Sequence, residues 1–330
     1  MQNRKVKKRR NRIGCLVLLG CLQFFGCAGN ELEDRTFPTL LTISDETDFA
    51  GQWLDGLQEG NKKVDYNHLK VILIEQDFLE KEEQVAEMIE LLKKDKNVPL
   101  NAYVVTTDVM KELTEAEETL EVPLGDYIEQ LLEHADTVKK ETYPTIGMLY
   151  QEAANRKETL FIPTISLVEA NPEITSFEVY KRGAAIGQVE NDVAYLSFFI
   201  NNQMKEYVLQ LEVNHYVKLS NTKNRIIFEE IRETSGLLKR QIKVQVNCNG
   251  EVLCRTYDTD RKEAEEWLEG QMKEYMTIYA GQALEGGTDV TNSFKKLGTE
   301  REWYEYYMQS PDFFEAEIAI DFEIDVAWID

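Results

Sequence analysis

Fifteen residues near the C-terminus alternate in character. Phe314, Ala316, Ile318, Ile320, Phe322, Ile324, Val326 and Trp328 take one parity, and Glu315, Glu317, Asp321, Glu323 and Asp325 take the other. Period two predicts a strand with every large apolar group on one face and the acids in water. At ~3.3 Å per residue it spans ~50 Å, enough to organise a whole sheet. Upstream, Asp260 to Gln282 predicts a long helix, with Ala264, Trp267, Leu268, Met272, Tyr275, Met276 and Tyr279 along one side. Further strands are expected at Leu160–Val168, Ile174–Lys181, Ala185–Val189, Lys205–Tyr216, Arg225–Glu233 and Gln241–Asn247. Asn249-Gly250 has the composition of a two-residue hairpin turn.

Before residue 157 the rhythm differs. Phe37–Ser44, His68–Glu75 and Leu100–Thr107 read as strands. Asp77 stands at the start of a helix carrying Phe78, Leu79, Val85, Met88, Ile89, Leu91 and Leu92 at helical spacing. Three more helices are expected near 108–119, 124–139 and 144–156. Alternating strands and helices followed by a strand-rich half give an α+β, multi-domain chain. The expected divisions are residues 1–26, an N-terminal domain over 27–157 and a C-terminal domain over 158–330.

The first 26 residues do not fit either rhythm. Arg4, Lys5, Lys7, Lys8, Arg9, Arg10 and Arg12 precede an apolar stretch, Ile13 to Gly26, that carries Gln23 as its one polar side chain. A basic segment, a short apolar core and a small residue at the cut make an export signal. Fourteen residues give ~21 Å of helix, short of the ~30 Å hydrocarbon core of a membrane. The Gly-Cys pairs at Gly20-Cys21 and Gly26-Cys27 are similar to bacterial lipoprotein signals, in which the cysteine receives diacylglycerol. The normal core length favours Cys27 as the lipidated residue, and Cys15 is then filler of the apolar core. Two acyl chains suffice for stable attachment where one is marginal.

Charge agrees with a covalent anchor. The chain has 37 basic and 60 acidic side chains. Removing the seven N-terminal bases leaves 30 against 60, a net −30 body repelled by nucleic acid and by anionic headgroups. A hydrophobic content of 43% is ordinary for a folded protein.

Candidate chemistry is sparse. His68, His134 and His215 lie far apart, none with a partner at metal-ligand spacing. Cys248 and Cys254 flank the expected turn. A two-residue loop puts their thiols on opposite faces, whereas a five-residue loop would pair them. Glu115, Glu117, Glu118 and Glu121 read as a solvated face, and Gly286-Gly287 has no phosphate-loop spacing around it. The aromatics Trp303, Tyr304, Tyr306, Tyr307, Phe313 and Phe314 suit core packing between helix and terminal strand, or a partner surface. No nucleophile, metal set or acid-base pair stands out, so neither an enzyme nor a bound cofactor is expected.

Four places along the chain resemble one family in order. They are Cys27-Ala28-Gly29-Asn30-Glu31-Leu32-Glu33-Asp34-Arg35; Val71-Ile72-Leu73-Ile74 with its helix and Asn101-Ala102-Tyr103-Val104-Val105; Ser176 to Gly187; and the long helix with Asp289, Trp303-Tyr304 and the terminal strand. Together they resemble the Ger(x)C family, the lipoprotein C subunit of bacterial spore germinant receptors. Two details depart from it: Val290-Thr291-Asn292-Ser293-Phe294 replaces a Gly-containing turn after the matched Asp289, and Ala28 replaces a Trp after the cysteine. The resemblance implies a non-catalytic subunit, tethered by Cys27 to the spore inner membrane. Its implied partners are the integral-membrane A and B subunits of a nutrient receptor. The alternative is a solute-binding lipoprotein of an uptake system.

Overall fold

The computed structural model describes residues 35–44, 58–59, 62–134, 137–155, 158–212, 215–232, 238–253, 261–293 and 319–329. Cys21, Cys27, Cys254 and the aromatics 303–314 lie outside the described residues, as does the expected signal over 1–26.

Fourteen strands are described. In chain order they are β1 (Arg35–Thr36), β2 (Leu40–Ile43), β3 (Gln58–Glu59), β4 (Lys62–Val64), β5 (Val71–Glu75), β6 (Tyr103–Thr107), β7 (Leu160–Val168), β8 (Asn171–Lys181), β9 (Ala184–Val189), β10 (Glu206–Glu212), β11 (His215–Ser220), β12 (Arg225–Arg232), β13 (Leu238–Val252) and β14 (Ala319–Ile329). The helices are α1 (Gln76–Leu79), α2 (Glu82–Lys94), α3 (Met110–Ala116), α4 (Leu124–Glu133), α5 (Ile146–Asn155), α6 (Asn191–Ile200) and α7 (Arg261–Glu285).

The larger sheet has the order β2-β5-β6-β7-β8-β9. Its first four strands are parallel and its last three antiparallel. Val71 to Ile74 are fully buried, as a strand covered on both faces requires. The junction of the two halves is thin. β6 meets β7 through the single register pair Thr106–Thr164. Lower down, the segment around Pro144 pairs with β6 instead: Val104 donates to the Pro144 carbonyl at 2.9 Å, and Ile146 to that of Ala102 at 2.9 Å. Three strands from beyond residue 157 thus complete a sheet begun before it. The six-stranded sheet thus crosses 157/158, while the small sheet β1-β4-β3 lies before that point and the sheet of β10–β14 after it.

Helix α2 buries Val85, Met88, Ile89 and Leu92, one stripe at the expected spacing. Glu82 and Glu83 open it and Lys93 and Lys94 close it, each complementing the nearby end of the helix dipole. Asp77 is not its cap. The chain makes the short α1 after Glu75, breaks near Glu80, and restarts after Lys81.

The second sheet is built around β13. One edge of β13 pairs with β12 and then β11, while the other runs parallel to β14 from Gln241–Ala319 to Glu251–Ile329. The expected hairpin at Asn249-Gly250 is absent: both residues lie inside this strand. The reason is pairing on both sides. Asn249 and Gly250 meet Ser220 and Leu219 on β11, and Ala327 and Trp328 on β14. Ladder bonds on both edges override a local turn preference. The single strand expected over Lys205–Tyr216 is two, β10 and β11, joined antiparallel.

Helix α7 lies on β14. Ala264, Leu268, Met272, Met276, Ala280 and Ala283 are buried, and Phe322 and Val326 face the same core. Glu323 and Asp325 point to solvent, as period two predicts. Helix α6 had no counterpart among the expected elements. Ala194, Leu196, Ser197, Phe198, Phe199 and Ile200 are all buried, so almost no polar face marks its period. It joins the two sheets. Phe198 meets Phe161 and Phe177 edge-on at 5.8 and 5.6 Å, and Phe199 lies 5.0 Å from Tyr207 of β10.

Candidate functional site

Three places hold polar chemistry, and each has a structural reason that can be tested against a functional one. The first is the segment after α7. Thr288 donates to the Ala283 carbonyl at 2.7 Å and Gly287 to that of Leu284 at 2.9 Å, with Gly287 at φ +80°. This closes the helix with a left-handed glycine cap, which accounts for Gly286-Gly287 without any phosphate. Asp289, 2% exposed, then gathers the chain around itself. One carboxylate oxygen accepts from the Thr291 amide and hydroxyl at 3.0 and 2.6 Å. The other accepts from the Ser293 amide and hydroxyl at 2.7 and 2.7 Å. All four donors belong to its own segment. Asp289 therefore shapes the chain and offers no lone pair to a substrate.

That shaped segment links the two sheets. The Val290 carbonyl accepts from Ser197 Oγ at 2.7 Å and Asn201 Nδ2 at 3.1 Å, both on or next to α6. Asn292 exchanges two bonds with the Thr159 backbone beside β7, at 2.9 and 3.0 Å. A pattern of Asp followed by Thr and Ser at two and four residues was the available sequence signal. A second amide knot fastens α6 to β12 and β13. Asn224 donates to the Phe199 carbonyl at 2.7 Å, and its oxygen accepts from the Asn247 amide at 3.2 Å.

The second place is Cys248, a free thiol buried in β13. Burial, then the nearby charges of Asp325 and Glu269, push its pKa up to about 12. A raised thiol pKa keeps the proton on at neutral pH, so the reactive thiolate is scarce. Iodoacetamide at pH 8 is expected to leave Cys248 unmodified in the native chain and to modify it fully in urea. Peptide mass mapping reads both states, and rapid native labelling would contradict the burial.

The third place is a cleft of about 600 Å³ at the N-terminal ends of β5 and β6. Leu69 and Lys70 line it from just before β5, Tyr103 from β6, Glu129 and Glu133 from α4, Lys140 and Glu141 from the chain leading into α5, and Met148 from α5 itself. Lys70 Nζ binds Asp126 at 2.7 Å and Glu129 at 2.6 Å, which raises its pKa to about 12. The Tyr103 hydroxyl donates to Glu133 over a long 3.5 Å. Burial, with the fields of Glu133, Glu129 and Glu141, pushes this phenol up to about 12, so it stays protonated.

The remaining candidates from the sequence do not converge. His68 sits edge-on to Phe37 at 5.1 Å. His134 is exposed, its Nδ1 3.0 Å from the Gln130 carbonyl, and His215 lies on β11. Glu115, Glu117, Glu118 and Glu121 are exposed. Glu117 accepts from the Leu124 amide at 3.1 Å and so helps start α4. Among the described residues no three His, Cys, Asp or Glu side chains are grouped to hold a metal. Nor is any described helix long and apolar enough to cross a membrane.

Comparison with known proteins turns on the same regions. No curated protein sequence matches the chain. Residues 57–167 match the family described as the spore germination protein N-terminal domain, a span from the strand pair β3–β4 almost to the end of β7. The fold is similar to that of the crystal structure of the GerBC protein, with a TM-score of 0.57 and 12% identity, covering 79% of each chain. Residues 57–167 therefore carry a spore germination protein N-terminal domain, within a chain whose fold is similar to that of the GerBC protein.

Proposed function

We propose that this protein is the lipid-tethered C subunit of a spore nutrient germinant receptor. Its work is to bind the integral-membrane subunits of that receptor. The observation that carries this reading is the germination-protein domain over residues 57–167. The polar interior supports it, because Asp289, Asn224 and Asn292 spend their hydrogen bonds on joining two sheets and leave none directed at a substrate. The body is strongly acidic, with 60 acidic against 37 basic side chains, which keeps it soluble beside a membrane. A covalent anchor at Cys27 would hold it there, since a net −30 chain has no electrostatic attraction to anionic lipid.

The role is tested by deleting the gene in a spore-forming host and following nutrient-triggered germination by loss of optical density. Germination is expected to fail for at least one class of nutrient while germination by a non-nutrient trigger persists. Wild-type responses to every nutrient, in a strain lacking paralogous receptors, would rule the role out. The anchor is tested separately. Cys27→Ala is expected to move the protein from the membrane pellet to the soluble fraction, whereas Cys21→Ala should leave it in the pellet. Retention of the Cys27→Ala protein would assign the anchor elsewhere.

A further inference from the structure

The cleft at the N-terminal ends of β5 and β6 has the size of a small-molecule site. About 600 Å³ lies inside the ~300–1,000 Å³ range of ligand pockets. It is also at the opposite end of the parallel strands from the usual ligand crevice of such sheets. At that usual end, Ser166 and Asp108 bond each other at 3.0 Å across β7 and the turn after β6.

Two kinds of surface meet in the cleft. Leu69, Pro99 and Met148 supply its apolar lining. Opposite in character, Tyr103, 8% exposed, lines it together with Glu133 and Glu141. The Tyr103 hydroxyl makes one long bond, which leaves its oxygen able to accept from an occupant. Glu133 is the partner of that hydroxyl, and Glu129 and Glu141 line the same cleft.

The sign of the occupant follows from which charges are already matched. Lys70 is held by two carboxylates and is not free to take an anion. No cation among the described residues pairs with Glu133 or Glu141. Lys140 is exposed at the rim and is the other lysine of the lining. An entering anion would meet Lys140 and three acids. An entering cation would meet the same acids and the Tyr103 hydroxyl oxygen.

We propose that this cleft binds a small organic ammonium compound, its cation among Tyr103, Glu133 and Glu141 and its apolar body along Leu69, Pro99 and Met148. The site is independent of the receptor role. A chain that binds amines but is dispensable for germination would sink that role alone, and a receptor subunit that binds no amine would sink this site alone.

The test is isothermal titration of the purified full chain, in a non-ionic detergent, with n-butylammonium. Butan-1-ol and butanoate serve as neutral and anionic probes of similar size. Saturable binding of n-butylammonium is expected, with each of the other two at least about tenfold weaker. Glu133 and Glu141 are exposed, so the double variant E133Q/E141Q should fold normally, as its circular dichroism would show. It is expected to weaken n-butylammonium by about tenfold or more, while K140Q leaves the affinity unchanged or improves it. Equal binding of all three probes, tighter binding of butanoate, absence of saturation, or an unaffected E133Q/E141Q protein would each overturn the proposal.

Discussion

Asp289→Ala is expected to destabilise the protein by about 4 kcal/mol, near the upper end of single-residue effects. The reason lies in the donors it would strand. Two amides and two hydroxyls, on Thr291 and Ser293, all give their protons to this carboxylate in a buried site. Each unsatisfied buried donor costs about 1–3 kcal/mol, partly recovered because a buried charge disappears with them. The damage is also expected to spread. Without its shape the segment cannot hold the Val290 carbonyl against Ser197 and Asn201, or Asn292 against Thr159. Hydrogen exchange should therefore rise at α6 and at the start of β7, elements distant in sequence from the substitution. Thr291→Val removes one hydroxyl and keeps the amides, and is expected to cost only about 1–2 kcal/mol. A drop in urea midpoint for Asp289→Ala no larger than that of Thr291→Val would show that the carboxylate does not organise the segment.

The second large effect is expected at Gly250. A Cβ built there would sit 2.6 Å from Val326 Cγ1 and 2.9 Å from two ring carbons of Trp328. Glycine is needed at this point for close approach, because the neighbouring strand lays an indole across it. Trp328 cannot simply swing away. Its Nε1 donates to Glu269 of α7 at 3.2 Å, and its ring packs against the core. Gly250→Ala is expected to cost about 2–3 kcal/mol, and Gly250→Val more, by forcing apart the C-terminal ends of β13 and β14. The cleanest check is a double-mutant cycle. Trp328→Ala removes most of the clash, so the pair G250A/W328A should cost clearly less than the sum of its single variants. Strict additivity would mean that Gly250 and Trp328 do not contact each other as described.

Gly250 also marks where local reading of the chain fails. Asn-Gly between β-rich flanks carries a genuine turn preference, yet β11 and β14 take up both edges of β13 at this point. Nothing near residue 250 in the sequence announces partners 30 residues before it and nearly 80 after it. Strand pairing around residue 157 is hidden from the sequence for a related reason. The composition does change there, from mixed to strand-rich, but β7, β8 and β9 extend the sheet that β2, β5 and β6 began. Composition describes elements one at a time, whereas a sheet edge accepts any compatible strand. Helix α6 was hidden differently. An element buried on nearly every side has no polar positions to reveal a period of 3.6.

The cleft had no one-dimensional signal. Lys70, Tyr103, Glu133 and Glu141 are common residue types, separated by up to 71 positions, that meet where three elements end. Asp289 was legible in part, since its match to a family position and its spacing to Thr291 and Ser293 were visible. Its burial and its link to both sheets were not.

What the sequence determined alone was periodic. Period two from Phe314 to Trp328 specified a strand with an apolar face, seen in β14 over Ala319–Ile329. Helical spacing specified α2 and α7, while the charged, apolar and cysteine segments at the N-terminus carry the expectation of a lipid anchor. These properties need only near neighbours, and near neighbours are written in order along the chain. Tertiary structure decided the rest: the pairing of β13 with three strands, the sheet that crosses residue 157, the burial of Asp289, and the cleft around Tyr103. Each depends on which distant segments bury surface together, a free energy summed over the whole fold that no local window of the chain contains.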